Sequence, residues 1–175
     1  MPSAGRRWIP GKALHARRPD HHAAANHLTM PHVQVRVREI SFEEDYERVL
    51  NLWQGIEKGM NVGRSDSPEE VRKKLQRDPD LFLVAETKNE IVGTVIGGFD
   101  GRRGMIYHLA VQKNFRGRGI GAMLLQEVEK RLQAKGCLKC LLLVLEDNGE
   151  AIQFYKNQGW RHASEDVVFM KEFFS

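Results

Sequence analysis

Cysteine is scarce in this chain, long apolar runs are missing, and surplus charge of one sign is confined to one end. The two cysteines, Cys137 and Cys140, make a lone Cys-x-x-Cys. No second Cys or His pair stands at zinc-ligand spacing from it, and it straddles a helix end and a strand start. Two free thiols, buried or half-buried, are expected, which suits a cytoplasmic protein, and no metal is expected. The apolar run Leu141 to Leu145 is of strand length, and nothing approaches the roughly 20 residues that span a bilayer. No membrane association is expected.

The formal charge is +4. Residues 1–31 hold five of the 27 basic residues and one of the 23 acidic ones, so the rest of the chain carries 22 of each sign. A neutral body argues against a nucleic-acid footprint. Residues 1–30 also lack apolar periodicity, and a disordered basic extension is expected there, with Met30 a natural start of the folded part. Residues 31–175 are expected to form one domain, monomeric or homodimeric.

What is present reads as alternating strands and helices. Val33 to Glu39 alternates strictly, as a half-buried strand does. Ser41, with Glu44 three residues on, has the form of a capping box opening a helix with Tyr46, Val49, Leu50 and Trp53 on one side. Ser67-Pro68-Glu69-Glu70 starts a second, shorter helix that stops by Asp78-Pro79. Leu81–Ala85, Ile91–Ile96 and Met105–Val111 read as an antiparallel meander. Ile120, Leu124, Val128 and Leu132 mark one face of a long helix closed by Gly136. Leu138–Leu145 is apolar enough for a strand covered on both faces. A helix from Asn148 to Gly159 and a closing strand Val167–Met170 follow. The order is β-α-α-β-β-β-α-β-α-β, an α+β arrangement.

The stretch Phe115-Arg-Gly-Arg-Gly-Ile-Gly-Ala122 opens the long helix. A helix start leaves N–H groups unpartnered and partly positive. Gly117, Gly119 and Gly121 let an anion approach that backbone, and Arg116 and Arg118 add charge that pairs with phosphate. A P-loop would end in Gly-Lys-Ser/Thr, which is missing here. Gly117-x-Gly119-x-x-Ala122 has the letters of a dinucleotide fingerprint, but a meander precedes it and only one βαβ unit exists.

Arg116-Gly-Arg-Gly119-Ile-Gly121 resembles the acetyl-coenzyme A signature of the GNAT superfamily of N-acetyltransferases, [Gln/Arg]-x-x-Gly-x-[Gly/Ala]. Asn148-Gly-Glu-Ala151-Ile-Gln-Phe-Tyr155-Lys-Asn-Gln-Gly159-Trp160 resembles that family's second motif. The resemblance covers residues 33 to about 173. It implies a GNAT-type acyl-CoA N-acyltransferase fold, with a mixed, bent sheet flanked by helices. It implies acetyl transfer from acetyl-CoA to a primary amine by direct attack, without a metal. It also implies that Arg116, Gly117, Arg118, Gly119, Ile120 and Gly121 hold the pyrophosphate. Leu109, Ala110 and Val111 would pair with pantetheine where two strands part.

By the same resemblance Tyr155 is the catalytic proton donor to the departing thiolate and touches the cofactor, and Asn148 reaches the pantetheine arm as well as capping its helix. A phenol keeps its proton at neutral pH and can serve in this way. For the general base, Glu57, His108 and Glu146 are candidates. Ribosomal-protein N-terminal acetyltransferases, otherwise similar, carry a Glu where this chain has Leu143. That departure leaves the acceptor open and motivates a second reading, a non-catalytic acetyl-CoA-binding sensor or interaction module. Glu57 and Asp66 are candidates to attract an acceptor ammonium.

Overall fold

A computed structural model of the protein describes residues 34–88 and 90–173; the expected basic extension lies outside them. The elements are β1 (Arg36–Glu39), α1 (Phe42–Gln54), α2 (Pro68–Arg77), β2 (Phe82–Glu86), β3 (Ile91–Phe99), β4 (Gly104–Val111), α3 (Ile120–Ala134), β5 (Cys140–Leu142) and α4 (Gly149–Asn157). A short 3-10 turn, Arg64–Asp66, precedes α2. The five strands form one sheet in sequence order. β1 to β4 are antiparallel neighbours, and β5 joins β4 in parallel.

Alternation along the central strands builds two apolar layers. Leu81, Leu83 and Ala85 face α3, with Ile120, Leu124, Leu125, Val128 and Leu132 packed on them. Phe82 and Val84 face the other way, onto Tyr46, Val49, Leu52, Trp53 and Val71 of α1 and α2. Period two in the strand meets period 3.6 in the helices, so every apolar residue of both patterns finds cover. α3 lies so close that a Cβ on Gly97 would come within 2.7 Å of Val128 Cγ2.

A buried carboxylate ties β1 to α1. Asp45, inaccessible to solvent, pairs with Arg38 (Nη1–Oδ2 2.5 Å), and Arg38 also binds Glu86 on β2 (Nε–Oε2 2.8 Å). Burial alone would push the Asp45 carboxyl up. The hydrogen bonds from Arg38 and from the Ser41 N–H outweigh it and hold the group below its ordinary value.

The Ser41 capping box does not form. Ser41 does precede the helix, but its side chain caps nothing, and Asp45, not Glu44, accepts its N–H. At α2 the cap is as expected, with Ser67 Oγ accepting from Glu70 N–H. β1 begins at Arg36, later than the alternation suggests.

The end of the chain departs further. β5 is three residues long and is not covered on both faces; Leu141, Leu143 and Leu145 stand exposed while Leu142 and Val144 are half-buried. The closing strand Val167–Met170 is absent, and all four of its side chains are exposed. Apolar content marks a segment able to become a strand, but pairing makes it one, and neither segment gains a partner beyond β5's short contact with β4. The two thiols are free, and both sulfurs converge on the space a Gly104 Cβ would fill, at 2.9 Å each.

Candidate active site

β4 and β5 pair only through Gly104–Ile106 opposite Cys140–Leu142. Beyond Ile106, β4 runs on to Val111 alongside β3, with its other edge unpaired by any strand. Those main-chain groups need partners, and an extended ligand can supply them.

From the end of β4 the chain passes through the 3-10 turn Lys113–Phe115 into the glycine stretch. Gly117 (φ +73°) and Gly119 (φ +80°) adopt the left-handed conformation that side chains resist. A Cβ at either would meet nothing within 4 Å, so it is backbone shape and not packing that requires glycine. The first bond into α3 is Met123 N–H to Gly119 O, 3.0 Å. The N–H groups of residues 117–122 precede it and carry the positive end of a 15-residue helix.

Opposite them lies α4. Asn148 caps it, its Oδ1 accepting from Ala151 N–H at 3.2 Å. Tyr155 is half-buried, edge-on to Phe154 and Trp160. Burial pushes its hydroxyl up to about 12, and it makes no hydrogen bond with the described residues. Phe154 fills the space beside Gly121, where a Cβ would lie 3.4 Å from the ring.

Together these parts line one cleft of about 750 Å³. Of the residues expected from the sequence it gathers Leu109, Ala110, Val111, Arg116, Gly117, Gly119, Ile120, Gly121, Asn148 and Tyr155. Arg118 is not among them; its guanidinium lies over the Phe115 ring. Arg116 folds back, its Nε donating to Val111 O at 3.0 Å. Lys58, Phe115, Asp147 and Phe154 also line the cleft and were not anticipated. Lys58 Nζ meets Asp147 Oδ2 at 2.9 Å, joining the α1–α2 connection to the approach to α4. Only Phe154 had a sequence signal, its place beside Tyr155 on a helix that must face glycine.

The candidate bases separate clearly. Glu57 lines the cleft but is bound by Lys113 (2.7 Å), whose hydrogen bond and charge hold its carboxyl below the ordinary range. Glu146 is exposed and is not among the residues lining the cleft. His108 sits beside the cleft residue Leu109, and its Nε2 lies 2.7 Å from Asp66 Oδ1. Neither proposed ammonium-attracting carboxylate stands open, since Lys113 holds Glu57 and His108 holds Asp66. Among the described residues no group of three His, Cys, Asp or Glu side chains could hold a metal ion. No helix there is long and apolar enough to cross a membrane.

A parting parallel strand pair, an anion-ready helix start and a half-buried phenol thus line one cleft. The model of the Acetyltransferase (GNAT) family matches residues 42–160, and the chain belongs to that family. An acetyltransferase of Photorhabdus laumondii is 44% identical over 131 residues, which is 74% of this chain and 90% of that protein. One from Pectobacterium atrosepticum is 46% identical over 114 residues, 65% of this chain and 79% of that one. Among solved structures, Ard1 from Thermoplasma volcanium superposes with a TM-score of 0.62 at 26% identity, covering 71% of this chain and 81% of that one. The PaiA N-acetyltransferase of Thermoplasma acidophilum, solved in complex with coenzyme A, has the same fold (TM-score 0.58, 21% identity, 71% and 88% covered).

Proposed function

We propose that this acetyltransferase moves the acetyl group of acetyl-CoA to a primary amine by direct attack, with Tyr155 protonating the departing thiolate. The observation that carries the reading is Tyr155 itself. Its hydroxyl is raised by partial burial, has no hydrogen-bond partner among the described residues, and belongs to the cleft that the unpaired edge of β4 and the start of α3 share. The residues fit the ligand: N–H groups 117–122 suit a pyrophosphate, and the free edge of Leu109–Val111 suits the amide-bearing pantetheine arm. Acetyl-CoA, when bound, supplies an activated thioester.

Every other part of the reaction falls to the chain. The Leu109–Val111 backbone orients the arm and offers N–H groups to an oxygen gaining charge. Asn148 fixes α4 so that Tyr155 stays on the cleft. The raised hydroxyl holds its proton throughout the neutral range, so the phenol is in its acid form when the thiolate departs. That the relatives are acetyltransferases and that PaiA holds coenzyme A supports the acetyl-CoA part of this reading.

The test measures thiol released from acetyl-CoA over a panel of small amines, polyamines and peptides. Tyr155→Phe should lower kcat about 100-fold. Coenzyme A affinity by calorimetry should change less than about twofold, since the ring stays and only the hydroxyl is lost. Equal losses in turnover and affinity would overturn the proton-donor role.

A further inference from the structure

We propose that His108 is the group that takes the proton from the acceptor amine, and that Asp66 positions its ring to do so. The inference rests on the transferase reading above and adds the base that reading lacks.

The backbone singles out His108 first. Among the described residues it is the one non-glycine with positive φ, +48°. A side chain in that region costs about 1 kcal/mol or more. The cause is a bulge: between the pairs Thr94–Ala110 and Ile96–Tyr107, two β4 residues (His108, Leu109) oppose one on β3. Ile106 and Leu109 then both pack in the α3 layer, while His108 turns onto Trp53 of α1. The kink therefore sends the imidazole out of the strand's ordinary alternation.

Several contacts hold it there. Trp53 Nε1 donates to Thr94 Oγ1, which donates to His108 O, both at 2.9 Å. The Trp53 ring meets the imidazole edge-on at 4.5 Å. Asp66 is fixed too: its Oδ2 accepts from Gly63 N–H (2.8 Å) and its carbonyl from the Tyr46 hydroxyl (2.9 Å). A carboxylate only accepts, so the His108 nitrogen facing it, Nε2, is the one that donates. Nδ1 then carries the lone pair, and it has no hydrogen-bond partner among the described residues. The side chain is 21% exposed, enough for an amine or one bridging water to reach it.

The groups facing the imidazole are Asp66 from the 3-10 turn and Trp53 from α1, with Tyr46 behind Asp66. The step balances simply. An acceptor ammonium loses a proton to Nδ1, its freed electron pair forms the C–N bond, and the thioester C–S bond breaks with its pair on sulfur. Tyr155 protonates the sulfur, the second proton leaving the acylated nitrogen restores the phenol, and the imidazolium returns its proton to solvent.

The test uses the full chain with propylamine, charged at neutral pH, and trifluoroethylamine, already uncharged there. His108→Asn is the variant of choice because Asn tolerates positive φ. It should lower kcat/KM for propylamine about 100-fold and for trifluoroethylamine less than about fivefold, with coenzyme A affinity within about twofold. Asp66→Asn should show the same contrast at about tenfold, and serves alone if His108→Asn unfolds. Independently of turnover, nitrogen NMR should find His108 as the Nε2–H tautomer in the unliganded protein and lose that preference in Asp66→Asn. Equal losses on both amines, or an Nδ1–H tautomer in the wild type, would overturn the pair's role and leave the transferase standing. Wild-type silence toward both amines, with coenzyme A still bound, would bring down the transferase reading and this inference with it.

Discussion

The two ends of the sheet are built differently. From β1 to β4, with α1 and α3 on either face, apolar side chains are covered almost completely; Leu81, Leu83, Val92 and Leu124 have no exposure at all. Just before β5 and beyond it, Leu138, Leu143, Leu145 and Phe169 face solvent. The cleft lies where one regime gives way to the other. Its rigid wall is β4 and the start of α3; its other wall is α4, which has no buried residue of its own. Precision in the cofactor grip thus comes from the packed side, and Tyr155 is presented from the looser one.

The largest effect that would sharpen this contrast is a core truncation. Leu124→Ala should cost about 2–5 kcal/mol of stability in urea unfolding, whereas Leu143→Ser should cost within about 0.5 kcal/mol. If the two losses matched, the β5 end would be covered in solution and the contrast would break. Next comes the buried pair on the packed side. Asp45→Asn leaves Arg38 without its closer partner and should cost about 3 kcal/mol at neutral pH.

The pH dependence follows from sign. Asp45 and Glu86 are both held below their ordinary values, so the unfolded chain binds protons more readily than the native one. Their stabilisation is complete above the unfolded carboxylate range of about 4 and is lost as pH falls through the lower native values. In Asp45→Asn the acid limb of the stability curve should flatten. The smallest effect belongs to the exposed Lys58–Asp147 pair across the cleft. Lys58→Ala should shift stability by no more than about 1 kcal/mol, and less at high salt.

Much of the packed side was legible in the sequence, because local rules govern it. The meander of β2–β4, the Ser67 cap, the face of α3 and the Gly117 and Gly119 turn all follow from spacing within a few residues. Ten of the expected ligand-holding residues share one cleft for the same reason. Asp66 and His108 were each candidates in the sequence, but their pairing escaped it because 42 residues separate them and a bulge, invisible to periodicity, turns the histidine toward its partner. The Leu138–Leu145 run misled because composition shows how much a segment could bury and says nothing of what will cover it. Arg118 misled because sequence supplies a charge without its direction, and here that charge lies over Phe115.

The kink at His108 also sets the frame in which the rest of β4 is read. Were that residue to relax into regular strand, every side chain after it would exchange faces. Leu109 would be driven into the slot that Ala110 now fills beneath α1, and the helix would have to lift to admit it. One residue's unusual torsion therefore acts as a latch on this wall of the cleft, and a protein that lost it would lose the proposed proton acceptor and the proposed thioester seat in the same event.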